Sequence, residues 1–210
     1  MNELAKRTIS GVVLIAVAFV ALWLGGAVFQ ILVALVGALI LWEWRGMSLR
    51  FLPAGARVTW GAAMGVYVIL AMVALIAIRH FAGFTATLTL LASVWATDIG
   101  AYAAGRTIGG PKIAPRISPS KTWAGLGGGM IAASVLIGLA GGWRYAPLGV
   151  LVAVLAQAGD FFESWLKRRA GVKDSGSLIP GHGGVFDRID GLLPVAIVAG
   201  VFGAARGYFW

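Results

Sequence analysis

Apolar and polar positions alternate along this chain in the long blocks of a membrane protein. Residues 8–42 contain no charge, and Gly25-Gly26 divides them into two stretches of near-minimal spanning length, since crossing the hydrocarbon core takes about 20 mainly apolar residues. Residues 58–78 form a third uncharged run. A fourth, near 81–105, contains one acid, Asp98. Residues 122–143 form the fifth, and 146–166 the sixth, with Asp160 and Glu163 in its last part. The seventh and shortest is 191–205. Lys6-Arg7 before an apolar stretch also suits a cleavable signal peptide. The apolar run resumes directly after Gly26, however, with no polar start of a mature chain, so an uncleaved first span is expected. The pattern predicts an all-α, polytopic integral membrane protein with about seven transmembrane helices.

Composition agrees. Of 210 residues 60% are hydrophobic and 12% charged, against roughly 45–50% and 25% in soluble domains, which excludes a water-soluble globule and a disordered chain. Without cysteine, disulfides, thiolate nucleophiles and Cys-bound metals are excluded. The 31 glycines suit closely packed transmembrane helices.

The net charge of +9 raises nucleic acid as a partner, but the placement of the charges answers otherwise. With the N-terminus inside, all of the 17 Lys and Arg fall on the inner side except Arg79, Arg144 and Arg206, the asymmetry that fixes topology. The basic excess is topological, and no nucleic-acid partner is needed. Outer loops are short, whereas 43–57, 106–121 and 167–190 are long inner loops, so function is expected on the inner face. Residues 1–90 read as accessory, lipid-facing helices. Residues 91–210 read as the catalytic region, with inner loops 106–121 and 167–190.

Acids inside spans cost about 2.5–3.5 kcal/mol at a helix centre on insertion scales and usually mark function. Asp160, Glu163, Ser164 and Lys167 fall at i, i+3, i+4 and i+7, on one helical face. A Glu–Lys or Asp–Lys helix pair gains only a few tenths of a kcal/mol, too little to account for two acids there. Bound Mg2+ accounts for them better, since carboxylate oxygens are its natural ligands. Loop 167–190 adds Lys167, Arg168, Arg169 and Lys173, a Gly181-His182-Gly183-Gly184 turn, and Asp187-Arg188-Ile189-Asp190. Glycines let backbone N–H groups approach an anion closely, and Lys and Arg neutralise phosphate. In loop 106–121, Gly109-Gly110 gives a turn, and Ser118, Lys121 and Thr122 offer donors to a polyphosphate, although the P-loop spacing is absent. Thr97, Asp98 and Tyr102 make a smaller polar cluster.

The run Ser164-x-Leu166-Lys167-Arg168-x4-Lys173-Asp174-x-Gly176-x2-Ile179-Pro180-x-His182-Gly183-Gly184-Val185-x-Asp187-Arg188-Ile189-Asp190 resembles the signature of the phosphatidate cytidylyltransferase (CDP-diacylglycerol synthase) family. Thr97-Asp98, Ser118-Pro119-x-Lys121-Thr122-Trp123 and Gly159-Asp160-x-x-Glu163-Ser164 are similar to the family's other patches, in the same order. Ser120 and Ala124 depart from the family's usual Lys and Glu in the Ser-Pro loop. The resemblance spans about residues 91–193.

It implies transfer of a cytidylyl group from CTP to phosphatidate, giving CDP-diacylglycerol and pyrophosphate, at the cytoplasmic face of the inner (plasma) membrane. It further implies Mg2+ held by Asp160 and Asp187, a second cation such as K+, and a homodimer. Lys167, Arg168, Lys173 and Arg188 would screen the phosphates, and Asp190 would orient Arg188 or a metal-bound water. Ser118, Lys121, Thr122 and Ser164 would bind substrate with Asp98 as a secondary partner, and His182, Gly183 and Gly184 would cap a phosphate oxygen. A CTP-dependent polyprenol or phytol kinase is the rival enzyme. A proton-coupled transporter is the rival from another class, but it needs midplane acids and related halves. The Asp-Gly-x-x-Ala-Arg motif of CDP-alcohol phosphotransferases is absent from the chain.

One expectation separates chemistry from topology. Lys167→Ala should slow turnover by about a hundred-fold, as loss of one transition-state donor does, while protease protection shows unaltered insertion because the other inner cations remain. An inverted topology would make the residue's role topological.

Overall fold

The computed structural model describes residues 3–207. Among these the chain is helical apart from one short β-hairpin, and it divides into two compact units. The first comprises Met1–Phe84, Leu166–Ile189 and Ala196–Trp210, and the second Thr85–Trp165 and Asp190–Val195.

The first unit is built on α1 (Glu3–Leu24), α2 (Gly26–Phe51) and α3 (Ala54–Ala77). Gly25, at φ 65°, makes the break between α1 and α2. No side chain fits there, because a Cβ would lie 2.5 Å from the Arg79 guanidinium. Arg79 in turn donates from Nε to the Leu22 carbonyl (2.8 Å) and from Nη2 to that of Trp23 (3.3 Å). It satisfies carbonyls that the end of α1 leaves without helical partners. At the end of α2, Arg57 Nε donates likewise to the Leu52 carbonyl (2.9 Å). Ile40, Trp44, Val68, Ala71 and Leu75 are buried between α2 and α3, and Gly37 lets Met72 come within van der Waals contact. α1 is different: only 11% of its apolar span is buried, and Val12, Ile15, Phe19 and Trp23 face outward.

In the second unit α4 (Gly83–Thr107) lies against α5 (Trp123–Gly141) through small residues. Cβ atoms added at Gly100 or Gly128 would each meet the other's backbone carbonyl oxygen at 2.5 Å. Cβ atoms at Gly125 and Gly129 would meet the carbonyl oxygens of Ala101 and Thr97 at 3.0 Å. Close approach of this kind is how helices associate where lipid removes the hydrophobic drive. Loop 106–121, expected as an irregular basic loop, forms a hairpin of β1 (Lys112–Ala114) and β2 (Ser118–Thr122), entered through Gly109 and Gly110 at φ 69° and 91°. The all-α reading holds for the membrane helices, and these two short strands are the departure from it among the described residues. Pro119 is tolerated because a two-stranded sheet consists of edges. β2 runs into α5, whose first turn is capped by Thr122, its Oγ1 accepting from Gly125 N at 3.0 Å. α6 (Pro147–Ala170) belongs to this unit as far as Trp165.

Among the described residues five stretches are long and apolar enough to cross a membrane, and the chain is a multi-pass membrane protein. One of them, Ala54–Thr107, has 54 residues. At about 1.5 Å per residue it far exceeds the ~30 Å core. A π-turn at Ile78–Ala82 and Gly83 at φ 83° interrupt it, separating α3 from α4. The last apolar helix, α8 (Leu192–Ala205; the four-residue α7, Phe186–Ile189, precedes it), has 14 residues.

Two glycines one position apart in α5 should respond oppositely. Gly128→Ala drives its methyl into Gly100 and Ala104 and should cost about 1–3 kcal/mol, as overpacking does. Gly127→Ala meets nothing within 4 Å and should be neutral or stabilising by up to about 1 kcal/mol. Unfolding in detergent micelles measures both, and equal effects would contradict the close α4–α5 approach.

Candidate active site

Loop 167–190 leaves α6 where Gly171 (φ 65°) and the bond from Val172 N to the Lys167 carbonyl (3.0 Å) end the helix. It tightens at Ile179–Gly183, where Ile179 N donates to Gly183 O and His182 N to Ile179 O, both at 2.9 Å. It then enters α7, whose second residue is Asp187. The Asp187 side chain is 4% exposed and accepts from four donors. Lys167 Nζ reaches Oδ1 at 2.7 Å. Oδ2 accepts from Ser175 N (2.9 Å), Ser175 Oγ (2.9 Å) and Gly184 N (2.8 Å). Backbone donors and a cation together suit a carboxylate withdrawn from water.

A second carboxylate lies beside it in the same unit. Glu43 of α2, 2% exposed, accepts from Val185 N at Oε1 (2.8 Å), and from Phe186 N and Ser175 Oγ at Oε2 (both 2.9 Å). The loop glycines make room for both acids. A Cβ at Gly184 would lie 2.1 Å from Ser175 Oγ and 2.5 Å from Glu43 Oε2, one at Gly176 2.6 Å from Glu43 Oε1, and one at Gly183 2.9 Å from Asp187 Oδ2. The anion these amides and glycines approach is the protein's own. His182 is occupied too: its Nδ1 is 2.9 Å from Ser10 Oγ of α1, a hydroxyl that also reaches the Pro180 carbonyl.

In the second unit Lys121 at the end of β2 pairs with Asp160 Oδ2 on α6, with both side chains about a quarter exposed. Ser164 Oγ donates to Oδ1 over a long 3.4 Å. Ser118 and Thr122 are buried. One turn before Asp160, the buried amide nitrogen of Gln157 has no hydrogen-bond partner among the described residues.

Each unit therefore holds one lysine–aspartate pair, Lys167–Asp187 in the first and Lys121–Asp160 in the second, drawn from stretches of polar sequence inside an otherwise apolar chain. The model of the cytidylyltransferase family matches residues 51–205. The chain belongs to this family. A phosphatidate cytidylyltransferase of Brucella suis biovar 1 is 35% identical over 256 aligned positions, covering 97% of this chain and 94% of the relative. One of Rickettsia felis is 33% identical over 91% and 88% of the two chains. One of Haemophilus influenzae reaches 46% over a shorter stretch, 47% of this chain and 38% of that protein.

For a cytidylyltransferase read from its sequence, the structure brings together Lys167, Asp187, Gly183 and Gly184 in one unit and Lys121, Asp160 and Ser164 in the other. Arg168, Lys173 and Arg188 stay exposed, as does Asp98 on α4. Asp190 Oδ1 accepts from its neighbour Gly191 N at 2.8 Å, so it shapes the turn into α8. Thr122 serves α5 as its cap while its hydroxyl proton remains available as a donor.

Glu43 and Ser175 were not expected among the site residues. The signal for Glu43 was there: it is the lone acid ending an uncharged run that begins at Thr8, and such an acid is expensive without a task. Ser175 carried no such mark.

Asp187→Asn keeps the shape but turns one oxygen into a donor. Whichever way the amide lies, its NH2 faces Lys167 or the backbone donors. The variant should fold yet lose about 1–3 kcal/mol, the usual cost of leaving a buried polar group unsatisfied. Unfolding in detergent checks this, and unchanged stability would mean the four donors do not support the loop.

Proposed function

We infer that the chain transfers a cytidylyl group from CTP to phosphatidate, yielding CDP-diacylglycerol and pyrophosphate. The observation that carries this reading is the alignment of 97% of the chain with a phosphatidate cytidylyltransferase, together with two lysine–carboxylate pairs inside the motif residues. In the reaction a phosphatidate oxygen attacks the α-phosphorus of CTP. A P–O bond forms there as the bond to the β-phosphate bridge breaks, and pyrophosphate departs with the electron pair. A phosphomonoester's second ionisation lies near pKa ~6, so the nucleophile is already largely anionic and no strong general base is needed.

The obstacle is repulsion between two polyanions, and the chain's residues act on it. Lys121 and Lys167 are ammonium groups on short leashes, each parked on an aspartate until a phosphate offers it a richer partner. Arg168, Lys173 and Arg188, exposed around the loop, screen incoming charge. Ser118, Thr122 and Ser164 are hydroxyl donors beside Lys121 and Asp160, and Asp98 and Asp190 lie outside those pairs.

Magnesium belongs to the same proposal. Among the described residues no three His, Asp or Glu side chains gather as a metal cage. That suits Mg2+, which is commonly bound through one or two carboxylates plus substrate phosphates and water. Asp160 fits as a ligand: it is partly exposed and, among the described residues, is met by Lys121 and, at long range, Ser164, so acceptor positions stay open. Asp187 carries four donors and could accept a cation only in place of Lys167. Bound there, the ion would neutralise phosphate charge and orient the oxygens for in-line displacement.

The same proposal includes seven crossings with the N-terminus inside, a site at the cytoplasmic face of the inner membrane, a homodimer and a second cation such as K+. The one-sided distribution of Lys and Arg supports the orientation.

Purified protein incubated with labelled CTP, phosphatidate and Mg2+ should give a lipid-soluble cytidine product and pyrophosphate. Asp160→Asn should reduce this by about a hundred-fold or more. Release of CDP instead, with a phosphorylated alcohol, would mean a kinase.

A further inference from the structure

The two buried carboxylates of the first unit are linked through one residue. Ser175 Oγ lies 2.9 Å from Glu43 Oε2 and 2.9 Å from Asp187 Oδ2. A hydroxyl has a single hydrogen, so it serves one acid at a time, while Ser175 N remains on Asp187. The loop backbone is divided between the same two acids: Gly184 N goes to Asp187, Val185 N and Phe186 N to Glu43. Three consecutive amides and one serine thus define where Asp187 can be. Half of those bonds end on a side chain from α2, separated by 132 residues or more along the chain.

We propose that Glu43 is a positioning residue for the cytidylyl-transfer site: it holds the 175–186 segment so that Asp187 and its partner Lys167 keep their places. The glycines fit this role: a Cβ at Gly176 would run into Glu43, and one at Gly184 would run into Ser175 Oγ and then Glu43. The helices of residues 1–90 are then part of the catalytic apparatus. The role in turnover rests on the activity inferred above, but the role in holding the loop does not.

The experiment uses the full chain in detergent micelles and compares wild type with Glu43→Gln. The amide of glutamine has the shape of the carboxylate but offers a donor to one of the backbone N–H groups. Two readouts are taken, peptide-resolved hydrogen exchange without substrate, and initial rates with CTP and phosphatidate. Exchange in peptides covering 175–187 should accelerate at least about ten-fold while α3, α4 and α5 keep their protection. At the same time kcat should fall about ten- to a hundred-fold with KM for CTP within two-fold, because misplacement of a catalytic group by an ångström has effects of that size.

Unchanged exchange in the 175–187 peptides overturns the proposal whatever the activity. So does a loss of protection spread over every helix, or a rise in KM for CTP with kcat retained. If wild type fails to turn over CTP and phosphatidate while Glu43→Gln still loosens only this loop, the activity assignment is wrong and the positioning role stands. Should Glu43→Gln not be recovered folded, Ser175→Ala asks the same question by cutting the link between the acids. It should loosen the same peptides and lower kcat several-fold, and wild-type behaviour of Ser175→Ala overturns the proposal.

Discussion

A carboxylate withdrawn from water must find donors, and that constraint organises this protein. Asp187 and Glu43 are almost completely buried, and an uncompensated buried charge costs several kcal/mol. Apart from Lys167 at the end of α6, the donors described above come from one short segment, so the segment has little freedom in its path. It must present Ser175 to both acids, give Gly184 to one and Val185 and Phe186 to the other, and avoid side chains at Gly176 and Gly184. What looks in the sequence like a flexible glycine-rich loop is a tightly determined structure.

The same constraint works more loosely in the second unit. Asp160 is partly exposed and meets Lys121 from the end of the β-hairpin. A surface pair of this kind contributes little to stability, which leaves both groups exchangeable for substrate charges. The first unit thus holds a closely bound acid and the second a partly exposed one. α4 and α5 supply the frame for the second: with glycine facing glycine their backbones nearly touch, and β2 is continuous with α5 through the Thr122 cap.

How much of this was legible beforehand depends on the distance over which each feature is decided. The apolar helices are local properties of uncharged runs, and their boundaries at Gly25 and Gly83 follow from glycine's tolerance of positive φ. The polar residues of the site were also visible, because acids are conspicuous among Leu, Val and Ala. Partnerships were not. Nothing local to Glu43 says that its donors lie beyond residue 174, and nothing near His182 announces Ser10. The hairpin was hidden because loop 106–121 shows only a Gly109-Gly110 turn and scattered basic residues, whereas pairing of Lys112 with Thr122 and Ala114 with Ser118 is set by the chain folding back. The glycines of the 181–184 turn were expected to admit a substrate anion, and the anions beside Gly183 and Gly184 are the carboxylates of Asp187 and Glu43.

The long separation between Glu43 and its donors has a consequence for how the protein is made. Ribosomes finish α2 well before Ser175, Val185 and Phe186 exist, so the nascent N-terminal hairpin enters the bilayer bearing an acid with none of its eventual partners. Until the last quarter of the polypeptide emerges, that acid must rest against water or translocon surface. The bonds that fix Glu43 can therefore form only once residues 175–186 have emerged.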